Sequence, residues 1–500
     1  MPSEKVARLS DATIKLVPGS VSIPAYARSE HGCGIVHMGI GAFHRAHQAV
    51  YTDAALAVSG GDWRIVGVSM RSPVVRDQLV PQDGLYTVVS REAKTEQLRI
   101  IGSVARVICA PEEPAAVVST IADSNTRIVS LTITEKGYCL DPASGQLNKS
   151  HQDIRADIEN PGTPRTAIGF IVAGLHLRWS QGGEGMTVLS CDNLPDNGSL
   201  ARTVILELAN IIEPELGQWI EREVSFPSTM VDRIVPATTG EDRQLVSNVL
   251  GLSDHGAVVT ETFSQWVIED KFSSGRPAWE DGGALFVQDV APFEKMKLRL
   301  LNGSHSCLAY LGYVAGFHYV HEVIKNKEIR KLIRLMMDRE VTPTLAPPVD
   351  FDLDDYKDQL IGRFDNPALQ HQTWQIAMDG SQKLPQRLLD PIRERVNCGE
   401  SFNILCLAVA AWMRYVIGPD EAGNEIEVSD PLEDRLSGIR ARWIGQPTEL
   451  CREFLVITEI FGRDLPKNKE FVAAVTTSLQ SLFTHGVVET VENTLAESND

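Results

Sequence analysis

Residues Gly34 to Leu56 read GIVHMGIGAFHRAHQAVYTDAAL, and this stretch decides the fold. Its first part, GIVHMGIG, is a short apolar run rich in β-branched residues, the pattern of a strand buried on both faces. Its last part, FHRAHQAVYTDAAL, follows the longer spacing of a helix. Between them Gly39 and Gly41 fill the first two positions of a GxGxxG turn, where a dinucleotide pyrophosphate rests on a helix N-terminus. The third position is His44, so the motif is incomplete, and a tight strand-to-helix turn without a ligand is the rival reading. Its place after a strand and before a helix favours a nucleotide, which would meet Gly39, Gly41, Ala42 and Phe43.

The same alternation recurs outward from this turn. WRIVGVSM (Trp63 to Met70), TRIVSLTIT (Thr126 to Thr134) and GMTVLSCDN (Gly185 to Asn193) read as further buried parallel strands with amphipathic stretches between them, an α/β doubly wound domain of the Rossmann type. Beyond about Asp289 the β-rich pattern fades. MKLRLLNGSHSCLAYLGYVAGF, IRKLIRLMMDREV, FNILCLAVAAWMRYVIG and NKEFVAAVTTSLQSLF predict a mostly α-helical second domain. The expected division is therefore 1–289 and 290–500. The Gly-rich SSGRPAWEDGGALF, residues 273–286, reads as a hairpin attached to the first domain.

A chain of 500 residues with 43% hydrophobic content suits two domains. Its formal charge of -19 argues against nucleic acid and against an acidic membrane surface, and leaves a small molecule as the expected partner. The opening MPSEKVARLSD lacks the apolar core of a signal peptide, and ILCLAVAAWM (Ile404 to Met413) is too short to span a bilayer, so a cytoplasmic protein is expected. Eight cysteines are scattered without a CxxC pair, as reduced structural thiols are. His44 with His47 and His318 with His321 lack the companions of a zinc site, and no metal is expected.

An acid at the end of the second strand usually takes the ribose 2′-OH of NAD, yet WRIVGVSM runs into RSPVVRD with no acid before Asp77. Arg71, Ser72 and Arg76 either meet the 2′-phosphate of NADP or are solvated loop charges, and NAD versus NADP stays open. Glu135, in TITEKGY, follows a predicted parallel strand at its carboxyl end and is expected to face the cofactor. In EKMKLRLLNGSHSCLAYLG (Glu294 to Gly312), an apolar helix carries Lys297, Asn302 and His305. At α-helical winding His305 stands roughly 80° and Asn302 roughly 140° from Lys297, so the three can line one broad wall. Each also has a plainer reading: a snorkelling lysine, a helix-stop Asn-Gly pair, a satisfied core histidine.

Taken together, GIGAFHRAHQAVYTD, SLTITEKGYC, SCDNLPDNG, FPSTMVDRIVP, QWVIEDKF and MKLRLLNGSHS resemble the long-chain polyol dehydrogenases, the mannitol dehydrogenase family that includes mannitol 2-dehydrogenase and fructuronate reductase (D-mannonate oxidoreductase). The resemblance spans nearly the whole chain. It implies an NAD(P)-dependent, zinc-independent secondary-alcohol dehydrogenase, monomeric or a small homo-oligomer, in which Lys297 is the general acid/base. It further implies that Asn193 and Asn302 hold the reacting oxygen, that His305 binds substrate and that Glu294 gates solvent or proton exchange. Asp232, beside Val231, falls near the nicotinamide or substrate, or pairs with Arg233. Lys383 matches a substrate-side lysine. The chemistry agrees, since an alcohol releases a hydride only as its oxygen loses a proton, which a neutral lysine accepts while amide N–H groups steady the oxyanion.

The substrate signals divide. HQTWQIAMDGSQKLPQR carries Gln375 where mannitol-specific members often have arginine, and looks like the mannonate-oxidising branch; VTPTLAPPVDFDLDDYK and the N-terminus look at least as much like mannitol dehydrogenases. A hexonate needs a cation for its carboxylate, for which Lys383 and Arg387 are the candidates, although Arg387 reads equally as a solvated helix charge. The expected reaction is the D-mannonate/D-fructuronate interconversion, with D-mannitol/D-fructose the alternative. A non-catalytic nucleotide sensor is a further class, and a sugar-phosphate dehydrogenase would need a clamp of Arg and Lys that is not evident.

Overall fold

Parallel strands β1 (Cys33–Met38), β2 (Arg64–Ser69), β5 (Val104–Cys109), β6 (Ile128–Leu131) and β7 (Thr187–Ser190) form one sheet in the order β5-β2-β1-β6-β7. The computed structural model describes residues 6–92, 95–141, 144–348, 351–443 and 445–497. Residues 1–5 of the opening stretch and 349–350 of VTPTLAPPVDFDLDDYK lie outside the described residues. The chain divides into two compact units, Met1–Ala291 and Pro292–Asp500.

Strand residues alternate between two cores, as a sheet covered on both faces requires. Val36, Met38, Val68, Val129 and Leu131 join the core that holds Ile168, Ile171 and Leu175 of the helix Ala167–Ser180. Ile35, Ile65 and Ile128 face the opposite core, with Ala46, Ala49 and Leu56. The chain runs outward from β1 through β2 to β5 and returns beside β1 as β6, so the strand order reverses between β1 and β6, where α/β sheets bind ligands. The helix expected after the glycine turn is broken in two, α1 (Ala42–Ala46) and α2 (Gln48–Val58). His47 sits at the break with non-helical dihedrals, its ring stacked on Phe43 and bonded through Nε2 to the Gln265 carbonyl at 3.0 Å.

Two small sheets complete this unit: β4 (Glu96–Ile101), β3 (Tyr86–Arg91) and β9 (Val258–Glu261); and β11 (Leu285–Val287), β10 (Gln265–Glu269) and β8 (Thr229–Asp232). Residues 273–286 do not form the expected hairpin. Their strand β11 pairs parallel to β10, because the chain first crosses α2 in a 3-10 turn whose Trp279 is fully buried and donates to Thr52 Oγ1 at 3.0 Å.

The second unit is helical. Its centre is the helix Asn403–Ile417, buried at every position from Ile404 onward and packed against the helices Gly303–Val314 and Lys469–Thr484. ILCLAVAAWM is thus core, and Glu340 caps the N-terminus of its helix by accepting from Ile404 N–H at 3.0 Å and Leu405 N–H at 2.8 Å. Among the described residues no helix is long and apolar enough to cross a membrane. The stretch from Ala291 to Val314 is helical throughout, but its winding loosens from α to π over Lys297–Asn302.

Candidate active site

In the first unit a cavity of about 580 Å³ opens at the strand-order reversal, lined by Gly39, Gly41, Arg71, Thr132, Thr134 and Lys136 among others. Gly39 has φ +96°, and a Cβ there would stand 2.2 Å from the Thr132 carbonyl oxygen, so only glycine makes this turn. Gly41 is different: a Cβ would meet nothing nearer than the Gly39 carbonyl oxygen at 3.8 Å, so what the absent side chain leaves is open space beside the cavity. Ala42 and Phe43 follow as the first residues of α1. His44, where the motif has its third glycine, is fully buried and lies flat on His37 of β1, ring centres 3.4 Å apart at 17°.

Arg71 and Ser72 line the cavity, whereas Arg76 is paired with Glu112 and Asp77. Glu135 is exposed at the start of the 3-10 turn Glu135–Tyr138, and its neighbours Thr134, Lys136 and Gly137 line the cavity. Thr134 adopts φ +63°, costly for a β-branched residue. What holds it is Asp192, whose carboxylate accepts from Ile133 N–H at 3.0 Å, Thr134 N–H at 2.9 Å and Tyr138 O–H at 2.8 Å. Burial nevertheless raises the Asp192 carboxyl above its ordinary value. Asn193 follows it on the loop after β7, exposed. Asp232 ends β8 almost fully buried, while the Arg233 guanidinium donates to the carbonyls of Ala46 at 2.5 Å and Glu261 at 3.0 Å.

In the second unit Glu294 is half-buried in the first turn of the helix, Lys297 is 8% exposed and His305 is buried. The π turn changes their arrangement. Its hydrogen bonds run from i to i+5, so Asn302 comes back toward the face of Lys297 instead of standing roughly 140° away, and His305 follows on the same side. A second π turn, Pro385–Leu389, packs against the first. From it Arg387 donates to Ser306 Oγ at 3.1 Å and to the Asn302 carbonyl at 3.5 Å, which rules out the solvated helix charge. Lys383 donates to the carbonyls of Met378 at 2.5 Å and Ile376 at 3.2 Å, and its burial brings the amine down to about 8. Gln375 is exposed.

His305 packs against Phe364 at 4.6 Å and edge-on to His371 at 5.1 Å. Burial, then the charges of His371, Arg363 and Arg387, hold its imidazole well below its ordinary value, so it is neutral and can donate or accept but does not act as an acid at neutral pH. Burial likewise brings His371 down to about 4. Sequence reasoning missed Asp192, Phe364, Arg363 and His371. None stands at a spacing that links it to the site, and only the acid in SCDN adjoined a residue already singled out.

Residues 33–281 match the mannitol dehydrogenase Rossmann domain, and residues 289–483 the mannitol dehydrogenase C-terminal domain. The chain belongs to the mannitol dehydrogenase family. Within this family it is 48% identical to the D-mannonate oxidoreductase of Escherichia coli (strain K12) over 94% of this chain and 97% of that one. It is 42% identical to a mannitol 2-dehydrogenase of Neosartorya fischeri over 94% of this chain and 95% of that one. Among solved structures, the Pseudomonas fluorescens mannitol 2-dehydrogenase in ternary complex with NAD and D-mannitol superposes with a TM-score of 0.84 at 40% identity, covering 98% of this chain and 99% of that chain. As a member of the mannitol dehydrogenase family the protein is an oxidoreductase.

Proposed function

We propose that the protein is an NAD-dependent dehydrogenase that interconverts D-mannonate with D-fructuronate without zinc. The gathering of Lys297, Asn302 and His305 onto one face by the π turn carries this reading. The glycine turn fits a dinucleotide, with Gly39 permitting the bend and Gly41 leaving space beside it. A nicotinamide bound there exchanges the hydride with the carbinol carbon. Lys297 takes the hydroxyl proton during oxidation and returns it during reduction. The side-chain amides of Asn193 and Asn302 donate to the oxygen as its charge develops, and neutral His305 fixes a neighbouring hydroxyl. Asp232 serves the nicotinamide or substrate, and Glu294 passes the proton onward. Arg71 and Ser72 also leave NADP acceptable, through a 2′-phosphate.

For the substrate, Arg387 supplies positive charge beside Asn302, Lys383 is a second cation, and both suit a carboxylate; the 48% identical relative is a D-mannonate oxidoreductase. One observation favours D-mannitol instead: both cations already donate to carbonyls or to Ser306, as neutral hydrogen-bonding walls do. Purified protein assayed with D-mannonate and D-mannitol against NAD and NADP in parallel decides. The expected result is a kcat/KM for D-mannonate with NAD at least about tenfold above that for D-mannitol, the worth of one charge-assisted contact. The reverse order transfers the assignment to mannitol.

A further inference from the structure

His37, the one buried polar residue of β1, stands where strand alternation calls for an apolar side chain. Its Nδ1 lies 2.8 Å from Ser130 Oγ and its Nε2 2.8 Å from Thr132 Oγ1. Thr132 Oγ1 in turn is 2.8 Å from the Gly39 carbonyl oxygen, and Ser130 Oγ is 2.9 Å from the Gln48 side-chain amide. Each hydroxyl has one hydrogen and a neutral imidazole has one donor and one acceptor, so these distances determine a direction.

Thr132 must give its hydrogen to Gly39, since otherwise two oxygens face each other at 2.8 Å with nothing between them. It therefore accepts from His37 Nε2–H, which leaves Nδ1 as the acceptor of the Ser130 hydrogen. Ser130 then accepts from Gln48, whose amide must present its nitrogen. With its oxygen toward Ser130, that nitrogen has no partner among the described residues, like both ring nitrogens of the stacked His44. Turned end for end, the amide presents its nitrogen to Ser130 and satisfies it. The result is one chain of donors, from Gln48 through Ser130, His37 and Thr132 to the Gly39 carbonyl. That carbonyl also accepts from Gly41 N–H at 2.6 Å, so both of its lone pairs are taken.

We infer that His37 is a positioning residue for the dinucleotide, acting through Thr132 to lock the Gly39 carbonyl so that it does not swing toward the phosphates it would repel. Thr132, Gly39 and Gly41 line the same cavity, which puts the end of the chain at the ligand. The inference rests on the reading of the glycine turn as the dinucleotide seat.

The test measures NADH affinity by calorimetry, together with KM for NAD and kcat, in His37→Phe, His37→Gln and Thr132→Val. His37→Phe keeps the shape and loses both bonds, and is expected to weaken NADH about tenfold and raise KM for NAD, with kcat at saturation within about twofold of the parent. His37→Gln can still donate to Thr132 and is expected to recover most of the affinity. Thr132→Val should reproduce His37→Phe and carries the test if His37→Phe does not fold. Parent-like NADH affinity in folded His37→Phe or Thr132→Val overturns the inference, as does a fall in kcat with KM for NAD unmoved. A parent protein that binds no NADH overturns the dinucleotide reading itself, and this inference with it.

Discussion

Lys297 and Lys383 are both lysines among apolar neighbours. Lys297 opens the π turn that ends at Asn302, and Lys383 donates to two main-chain carbonyls. Lys297→Ala is expected to lower kcat by about 10³-fold, the range of general acid–base catalysis, while NADH binding measured by fluorescence stays at the parent level; turnover above a few per cent would remove Lys297 from the chemistry. Because burial brings Lys383 down to about 8, its charge fades as pH rises through that value. If a hexonate carboxylate rests on it, KM for D-mannonate should climb above about pH 8 while KM for D-mannitol stays flat. The opposite pattern, or parallel curves, would separate Lys383 from the carboxylate. Lys297, Asn302 and His305 could be named from their setting in one apolar run. His371 could not, because it lies 66 positions beyond His305 and only packing brings the rings to 5.1 Å.

Among the elements, the side chain of Asp192 ties the loop after β7 to the loop after β6. Asp192 holds three donors from the TITEKGY segment, including the amide of Thr134 with its left-handed φ. Asp192→Asn places an N–H₂ where one of these donors points, leaving a buried clash of donors worth about 1–3 kcal/mol. A raised KM for NAD and a lower melting temperature are expected, and a variant with parent values of both would show that the strained turn holds without Asp192. The strands were legible because burial on both faces leaves a β-branched run in the sequence. The π turn was not, since nothing in KLRLLN distinguishes i to i+5 winding from i to i+4. Nor was the parallel pairing of β11, which depends on where the Trp279 indole is buried.

Across the whole molecule, four histidines share one electrostatic fate. Burial brings His37 down to about 3 and His371 to about 4, and holds His44 and His305 well below the ordinary value. An unfolded chain protonates these rings as pH falls below about 6.5 while the folded protein resists, so their stabilisation is complete above that pH and is lost on the way down. Each contributes up to about 1.4 kcal/mol per pH unit in that window. Asp157, Asp192 and Glu340, whose carboxyls burial raises, offset part of the loss. Thermal melts at pH 7.5, 6 and 5 should show a falling midpoint, and a constant midpoint would mean that these rings are not held neutral by the fold. By itself the sequence determined the doubly wound sheet and the helical second part, because periodicity and local turn chemistry are written residue by residue. Only the tertiary structure decided that His44 stacks on His37, that Arg76 is taken by Glu112, and that Lys383 and Arg387 are tied to carbonyls and Ser306. Whether the partner lies seven positions away, as His37 does from His44, or 81, as Ser306 does from Arg387, each contact is set by what the side chain finds once the core has closed.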